Sequence, residues 1–216
     1  MESLRRTRLQ LNMFLKGSKM YHGNSKIIRR STLDEDLRLK LLEGLKNPLH
    51  MHYFDRNEAT NATDEAVLEF LDREQFNCNK THIEYWYQSQ QGSGDLWPHV
   101  DFNEKLRHRI NAGQKLKPEE LMSPITIACY LEATDLEGGE FCISERSWLD
   151  YEKELSPPVD LKEELLKYTH ESFQPFEGAV LYFEGSRYYH WINEVKRGSR
   201  KSILINFWDD CSLKST

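Results

Sequence analysis

Residues 178–208 read GAVLYFEGSRYYHWINEVKRGSRKSILINFW, and the reading of this stretch decides the fold. Ala179–Phe183 and Ser202–Trp208 are dense in β-branched and aromatic residues, and a polar turn, Glu184–Tyr189, follows the first. Strand, turn and strand are the expectation. His190 lies between the two runs, and Arg200 follows ten residues later within Gly198-Ser199-Arg200-Lys201-Ser202. Residues two apart in a strand share a face, so Arg200 and Ser202 converge on one point. A guanidinium beside a hydroxyl suits a carboxylate, which Arg grips with two parallel hydrogen bonds while Ser donates another.

Upstream, Ile125–Leu131 alternates Ile125, Ile127, Cys129 and Leu131 against Thr126, Ala128 and Tyr130, as a strand does. Gly138-Gly139 marks a turn and Glu140–Ile143 a returning strand, with helical patterning over 145–169. Thr81–Gln88 is another strand-forming run. Before it, two helices are expected. Leu33, Leu37, Leu41 and Leu45 recur every fourth residue behind Asp34, Glu35 and Asp36. Val67, Leu68, Phe70 and Leu71 follow Thr63 as the cap. Helices first and many short strands afterwards predict an all-β core, a sandwich or barrel, with flanking helices.

His99-Val100-Asp101 places two ligand-type side chains on one strand face. With 8 His and 35 acidic residues among 216, chance supplies roughly one His-x-Asp/Glu triplet. The chain has two, because His82-Ile83-Glu84 also qualifies. Only the first is followed by a distant His with an Arg-x-Ser behind it, so His82 and Glu84 are assigned to a solvated strand face. Two His and one carboxylate leave three neighbouring positions open on iron(II). Each residue also has a plainer reading. His99 and His190 suit ordinary strand positions, Arg200 a surface charge beside Arg197 and Lys201, and Tyr130 simple core filling.

Taken together, His99-x-Asp101, His190, Arg200 and Ser202, with the segments WPHVDF, ITIACYLEATDLEGGEFCIS and 178–208, resemble the Fe(II)/2-oxoglutarate-dependent dioxygenase superfamily in its prolyl-hydroxylase-like branch. The resemblance covers roughly residues 83–208. It implies a double-stranded β-helix (jelly-roll, cupin-like), with helical N-terminal support over about 1–80 and the core over about 81–210 of one oxygenase domain spanning 1–216. It further implies Fe(II) held by His99, Asp101 and His190, and 2-oxoglutarate held by Arg200, Ser202, Tyr130 and Tyr87, with ascorbate as an optional third cofactor. The implied activity is hydroxylation of an unactivated C–H bond in a peptide or small amino-acid-like substrate, releasing succinate and CO2. Asp101 favours hydroxylation over halogenation, since halogenating relatives lack that carboxylate.

Two other classes compete. A cupin-like metal-binding oxygenase or sensor without 2-oxoglutarate gives no reason for Arg200-x-Ser202. A catalytically dead interaction domain gives none for a complete ligand set. The net charge of −6 argues against general nucleic-acid binding, and no apolar run is long enough for a membrane helix. Without a secretory signal, a cytoplasmic protein with four reduced cysteines is expected, and Cys129 and Cys142 are candidates to face one another across neighbouring strands. Asn61-Ala62-Thr63 and Asn79-Lys80-Thr81 fit the glycosylation triplet but mean little without secretion. Residues 102–123 form a long, locally basic segment starting directly after Asp101. It reads as a solvated loop or as a lid whose Arg107 or Arg109 attracts an acidic group.

Overall fold

A computed structural model describes residues 26–45, 51–76, 82–91, 96–101, 123, 125–147, 165–166 and 170–208. Its strands form two antiparallel sheets. The larger has six strands in the order β1 (Ile27–Thr32), β8 (Ala179–Phe183), β5 (Thr126–Gly138), β10 (Val195–Trp208), β3 (His82–Gln91) and β2 (His52–Asp55). The smaller has four: β4 (Leu96–His99), β9 (Tyr188–Ile192), β6 (Phe141–Ser147) and β7 (His170–Phe173). Two facing antiparallel sheets with these crossovers make the expected jelly roll.

Period-two alternation divides the larger sheet into two working faces. Ile83, Tyr85, Ile127, Cys129, Leu131, Val180, Tyr182, Ile203, Ile205 and Phe207 point outward. There they meet Leu37 and Leu41 of α1 (Glu35–Gly44) and Ala66, Val67, Phe70 and Leu71 of α2 (Ala62–Arg73). Ala128, Tyr130, Leu181, Phe183 and Leu204 point inward and pack on Phe141, Ile143, Phe173 and Tyr188 of the smaller sheet. One layer thus supports the helices and the other encloses the interior.

Several expectations are corrected here. The first third is not only helical: β1 and β2 extend the larger sheet at its two edges, pairing with β8 and β3. Neither strand alternates clearly enough to be read without its partner. The cap of α2 is Asn61 rather than Thr63. The Asn61 side chain accepts from the Thr63 and Asp64 amides, and Thr63 already sits inside the helix. Residues 145–147, read as helical, end β6; most of 148–169 lies outside the described residues. Cys129 and Cys142 do not face one another. Cys129 packs under the helices, whereas Cys142 packs with Leu165 and Trp191. Among the described residues no helix is long and apolar enough to cross a membrane.

β10 is the spine of the larger sheet, bonded to β5 on one side and β3 on the other. Its register against β5 shifts around Arg197–Ser199. Gly198 there has φ +81°, and any Cβ would strike the Thr134 and Asp135 carbonyls. Only glycine takes both the left-handed backbone and the close approach without strain. A further shift between Lys201 and Ser202 brings Ser202 opposite Tyr130.

Removing the α2 cap tests the helix boundary. Asn61→Ala is expected to cost about 1 kcal/mol, seen as a lower urea midpoint with unchanged slope. An unaltered midpoint would return the capping role to another residue.

Candidate metal and anion site

The site begins as a pairing register. His99 of β4 and His190 of β9 are directly opposed across the strands, with ring centroids 4.3 Å apart. The Nδ1 atom of His99 lies 2.8 Å from the Trp97 carbonyl, and that of His190 lies 3.2 Å from the Tyr188 carbonyl. A carbonyl can only accept, so each Nδ1 donates to it, and in the neutral ring Nε2 is then the nitrogen with the lone pair. Both Nε2 atoms look towards Asp101. Its Oδ1 is 3.8 Å from His99 Nε2 and 3.6 Å from His190 Nε2. Neither distance is a hydrogen bond, and the buried His190 Nε2 has no hydrogen-bond partner. Ligand atoms of His99, Asp101 and His190 all lie within 4.8 Å of one another.

Electrostatics favour a cation at this point. Burial, with the charge of His190, holds the His99 imidazole down at about 4, against the pull of Asp101 and the Trp97 carbonyl. His99 is therefore neutral near pH 7, the form that binds metal. Burial alone would raise Asp101. The neighbouring His190 and His99 and the Thr126 hydroxyl override it and hold the carboxyl at about 2. The Nε2 atoms of His99 and His190 with the Asp101 carboxylate are a donor set suited to a divalent transition metal.

The same cavity holds a buried guanidinium that no carboxylate of the described residues pairs with. It is lined by His99, His190, Gln88, Tyr130, Arg200 and Ser202, among others. Arg200 is 2% exposed. Its Nη1 donates to the Gly139 carbonyl at 3.3 Å and its Nη2 to Ser202 Oγ at 3.5 Å, both long. Its Nε has no partner, and none of the described residues places a carboxylate within ion-pair distance. Burial lowers the guanidinium from its ordinary value, and only Tyr130 opposes that. The guanidinium stands 5.0 Å from the Tyr130 ring centroid. Burial pushes the Tyr130 hydroxyl up while the Arg200 charge pulls it back, yet the hydroxyl has no aligned hydrogen-bond partner. A buried charge is costly unless paired. Unused donors on Arg200 and Tyr130 beside Ser202 are a set that a carboxylate could satisfy.

Tyr87 does not join this group. It sits one residue off the inward phase of β3, packs on the helix-side core and donates to the Leu41 carbonyl at 2.7 Å. The inward neighbour is Gln88, opposite Ser202 in register, with a buried and unpartnered Oε1. Thr81–Gln88 reads as a strand from its β-forming residues, but which residues face inward is set only by pairing with β10. Glu84 also departs from expectation. It is 1% exposed rather than solvated, and Trp208 Nε1 donates to its Oε2 at 2.8 Å. His82 is half-buried at the start of β3, near Asp55. The 102–122 segment lies outside the described residues.

A scan of protein-family models finds no match to this sequence, and a search of curated proteins finds none either. Solved structures do match, and they give the fold as that of the 2-oxoglutarate–Fe(II) oxygenases, prolyl-hydroxylase-like in type. A prolyl hydroxylase from Trichoplax adhaerens, in complex with a peptide fragment of the hypoxia inducible factor oxygen degradation domain, is 12% identical with a TM-score of 0.51; 99% of this chain and 96% of that chain are covered. The non-heme alpha-ketoglutarate-dependent epimerase SnoN from nogalamycin biosynthesis is 13% identical with a TM-score of 0.50, over 94% of this chain and 82% of that one. At these identities the likeness is one of fold.

Glu84 generates a pH prediction. Burial, reinforced by the charge of Asp101, raises its carboxyl to about 7 against donors on Tyr53, Trp208 and Asn206. The folded state therefore binds a proton that the unfolded chain releases near its ordinary value of 4.5. This group's contribution is complete below about pH 4.5 and is lost as pH rises through 7. In the metal-free protein, Glu84→Gln should gain on wild type in thermal midpoint between pH 5 and pH 8, by on the order of 3 kcal/mol at most. A gap that does not change with pH would show that Glu84 does not titrate there.

Proposed function

We propose that this chain is an Fe(II)- and 2-oxoglutarate-dependent oxygenase. The observation that carries the reading is Arg200: a buried guanidinium without a carboxylate partner among the described residues, in a cavity lined also by His99 and His190 of the cluster they form with Asp101. A cupin-like metal protein that uses no 2-oxoglutarate accounts for the cluster and leaves Arg200 unexplained. His99 Nε2, His190 Nε2 and Asp101 Oδ1 would hold the metal. Arg200, Ser202 and Tyr130 would receive the distal carboxylate of 2-oxoglutarate, with the inward amide of Gln88 beside them. Fe(II) with bound 2-oxoglutarate and dioxygen supplies oxidative decarboxylation to succinate and CO2, coupled to oxidation of a C–H bond.

The protein's own part is binding and exclusion. The two Nδ1–H···O=C contacts lock the imidazoles in the ligating tautomer. Phe141 and Phe183 pack against the His190 ring, with centroids 5.9 and 5.0 Å away, and keep water from that side. The buried Arg200 supplies a charge that only a small dianion of matching length satisfies while also reaching the metal.

Hydroxylation of a peptide or small amino-acid-like substrate is the outcome we assign. The Trichoplax prolyl hydroxylase was solved with a peptide, whereas the SnoN relative is described as an epimerase. The fold alone therefore does not select the outcome, and Asp101 within a complete ligand set supports hydroxylation.

Anaerobic Fe(II) with 2-oxoglutarate should give a visible charge-transfer band in wild type, and aerobic turnover should release succinate. Asp101→Ala should abolish both. Arg200→Gln should keep metal binding but weaken 2-oxoglutarate tenfold or more, since each charge-assisted bond contributes about 1.5–3 kcal/mol. Unchanged 2-oxoglutarate affinity in Arg200→Gln would point to a metal protein that does not use this cosubstrate.

A further inference from the structure

The two oxygens of the Asp101 carboxylate have different surroundings. Oδ1 faces the imidazoles, 3.8 Å from His99 Nε2 and 3.6 Å from His190 Nε2. Oδ2 is turned away and accepts a 2.8 Å hydrogen bond from the Thr126 hydroxyl. Thr126 is fully buried on β5, and its Oγ1 also lies 2.7 Å from Asn206 Oδ1 on the neighbouring β10. The hydroxyl has one proton, and the charged carboxylate is the stronger acceptor.

The backbone around Asp101 is held as firmly. Its amide donates to the Gly185 carbonyl at 3.0 Å. Its carbonyl accepts from Ser186 Oγ at 2.6 Å, and that oxygen in turn accepts from the Ser123 amide at 2.9 Å. Gly185 is packed so closely on Asp101 Oδ2 and Thr126 Oγ1 that a Cβ would overlap both. The turn between β8 and β9 therefore presses on the carboxylate from the side opposite the imidazoles.

A carboxylate can ligate through one oxygen or through both. Two-oxygen ligation takes a coordination position that a facial triad leaves for cosubstrate. We infer that Thr126 is a positioning residue that commits Asp101 to one-oxygen ligation, with Asn206 behind it and Gly185 making room for the contact. This rests on the reading of His99, Asp101 and His190 as a metal site. Thr126 touches neither metal nor cosubstrate; it acts by keeping Oδ2 occupied.

Co(II), a spectroscopic stand-in for Fe(II), tests this in the full chain. Thr126→Val keeps size and shape but removes the donor. It should weaken Co(II) binding by calorimetry tenfold or more, the range expected for loss of a partner to a metal ligand. Its Co(II) d–d spectrum should change, and its metal-loaded form should bind 2-oxoglutarate less tightly, because a freed Oδ2 competes for a position. Thr126→Ser, which restores the hydroxyl, should recover all three. Gly185→Ala displaces the contact without deleting the hydroxyl and should resemble the valine variant, so it decides the matter should Thr126→Val fail to fold. Wild-type affinity, spectrum and 2-oxoglutarate binding in Thr126→Val, or in a folded Gly185→Ala, would overturn the positioning role while leaving the metal site standing. A wild-type chain that takes up no Co(II) would overturn both.

Discussion

The site depends on one register, the pairing of β4 with β9 that sets His99 directly opposite His190. A slip of one residue would turn one imidazole to the other face of the sheet. With the register held, both rings are braced by the carbonyl two residues earlier in their own strand. Each Nε2 is then aimed at the point that Asp101 Oδ1 also faces. The irregularity of the pairing between Leu96 and His99 leaves the ladder bent beside the cluster, which is where bulges commonly re-aim a side chain.

Around that pair, the larger sheet acts as a two-sided plate. Odd-numbered residues of β10 from Ile203 onward lie against α1 and α2, and even-numbered residues from Arg200 onward face the interior. Hydrophobic burial on the helix side anchors the strands, so that polar groups on the other side can be held without ideal partners. The buried and unpartnered atoms of Gln88, Tyr130, His190 and Arg200 lie together in that interior. Such groups carry a cost that a purely structural core avoids, and here they cluster beside the His99, Asp101 and His190 group.

Charge is distributed along this interior in sequence. Arg200 supplies a buried guanidinium, Asp101 a carboxylate held ionised by its neighbours, and Glu84 a carboxylate driven towards its neutral form by burial. The last two are both buried acids of the same chain, yet their environments push them in opposite directions. Asp101 has two imidazoles and a hydroxyl to favour its charge; Glu84 has an indole donor and the repulsion of Asp101.

Much of this was legible in residue order. The His99-x-Asp101 spacing, the distance from His190 to Arg200, the shared face of Arg200 and Ser202, and the leucine stripe of α1 are local consequences of strand and helix periods, and those periods are properties of the backbone. Phase and partnership were not legible. Tyr87 and Gln88 are adjacent, and the choice between them follows from which face of β3 meets β10. Glu84 looked solvated because a short polar strand reads as exposed until β2 and Trp208 cover it. Thr126 was one residue of an alternating run, and its bond to Asp101 spans 25 positions of sequence. The sequence alone determined which chemistry-bearing residues exist and how neighbours along one strand are oriented. Only the tertiary structure decided which strands meet and in what register, because hydrogen-bond ladders and side-chain burial between distant segments select among pairings that local propensity leaves equal.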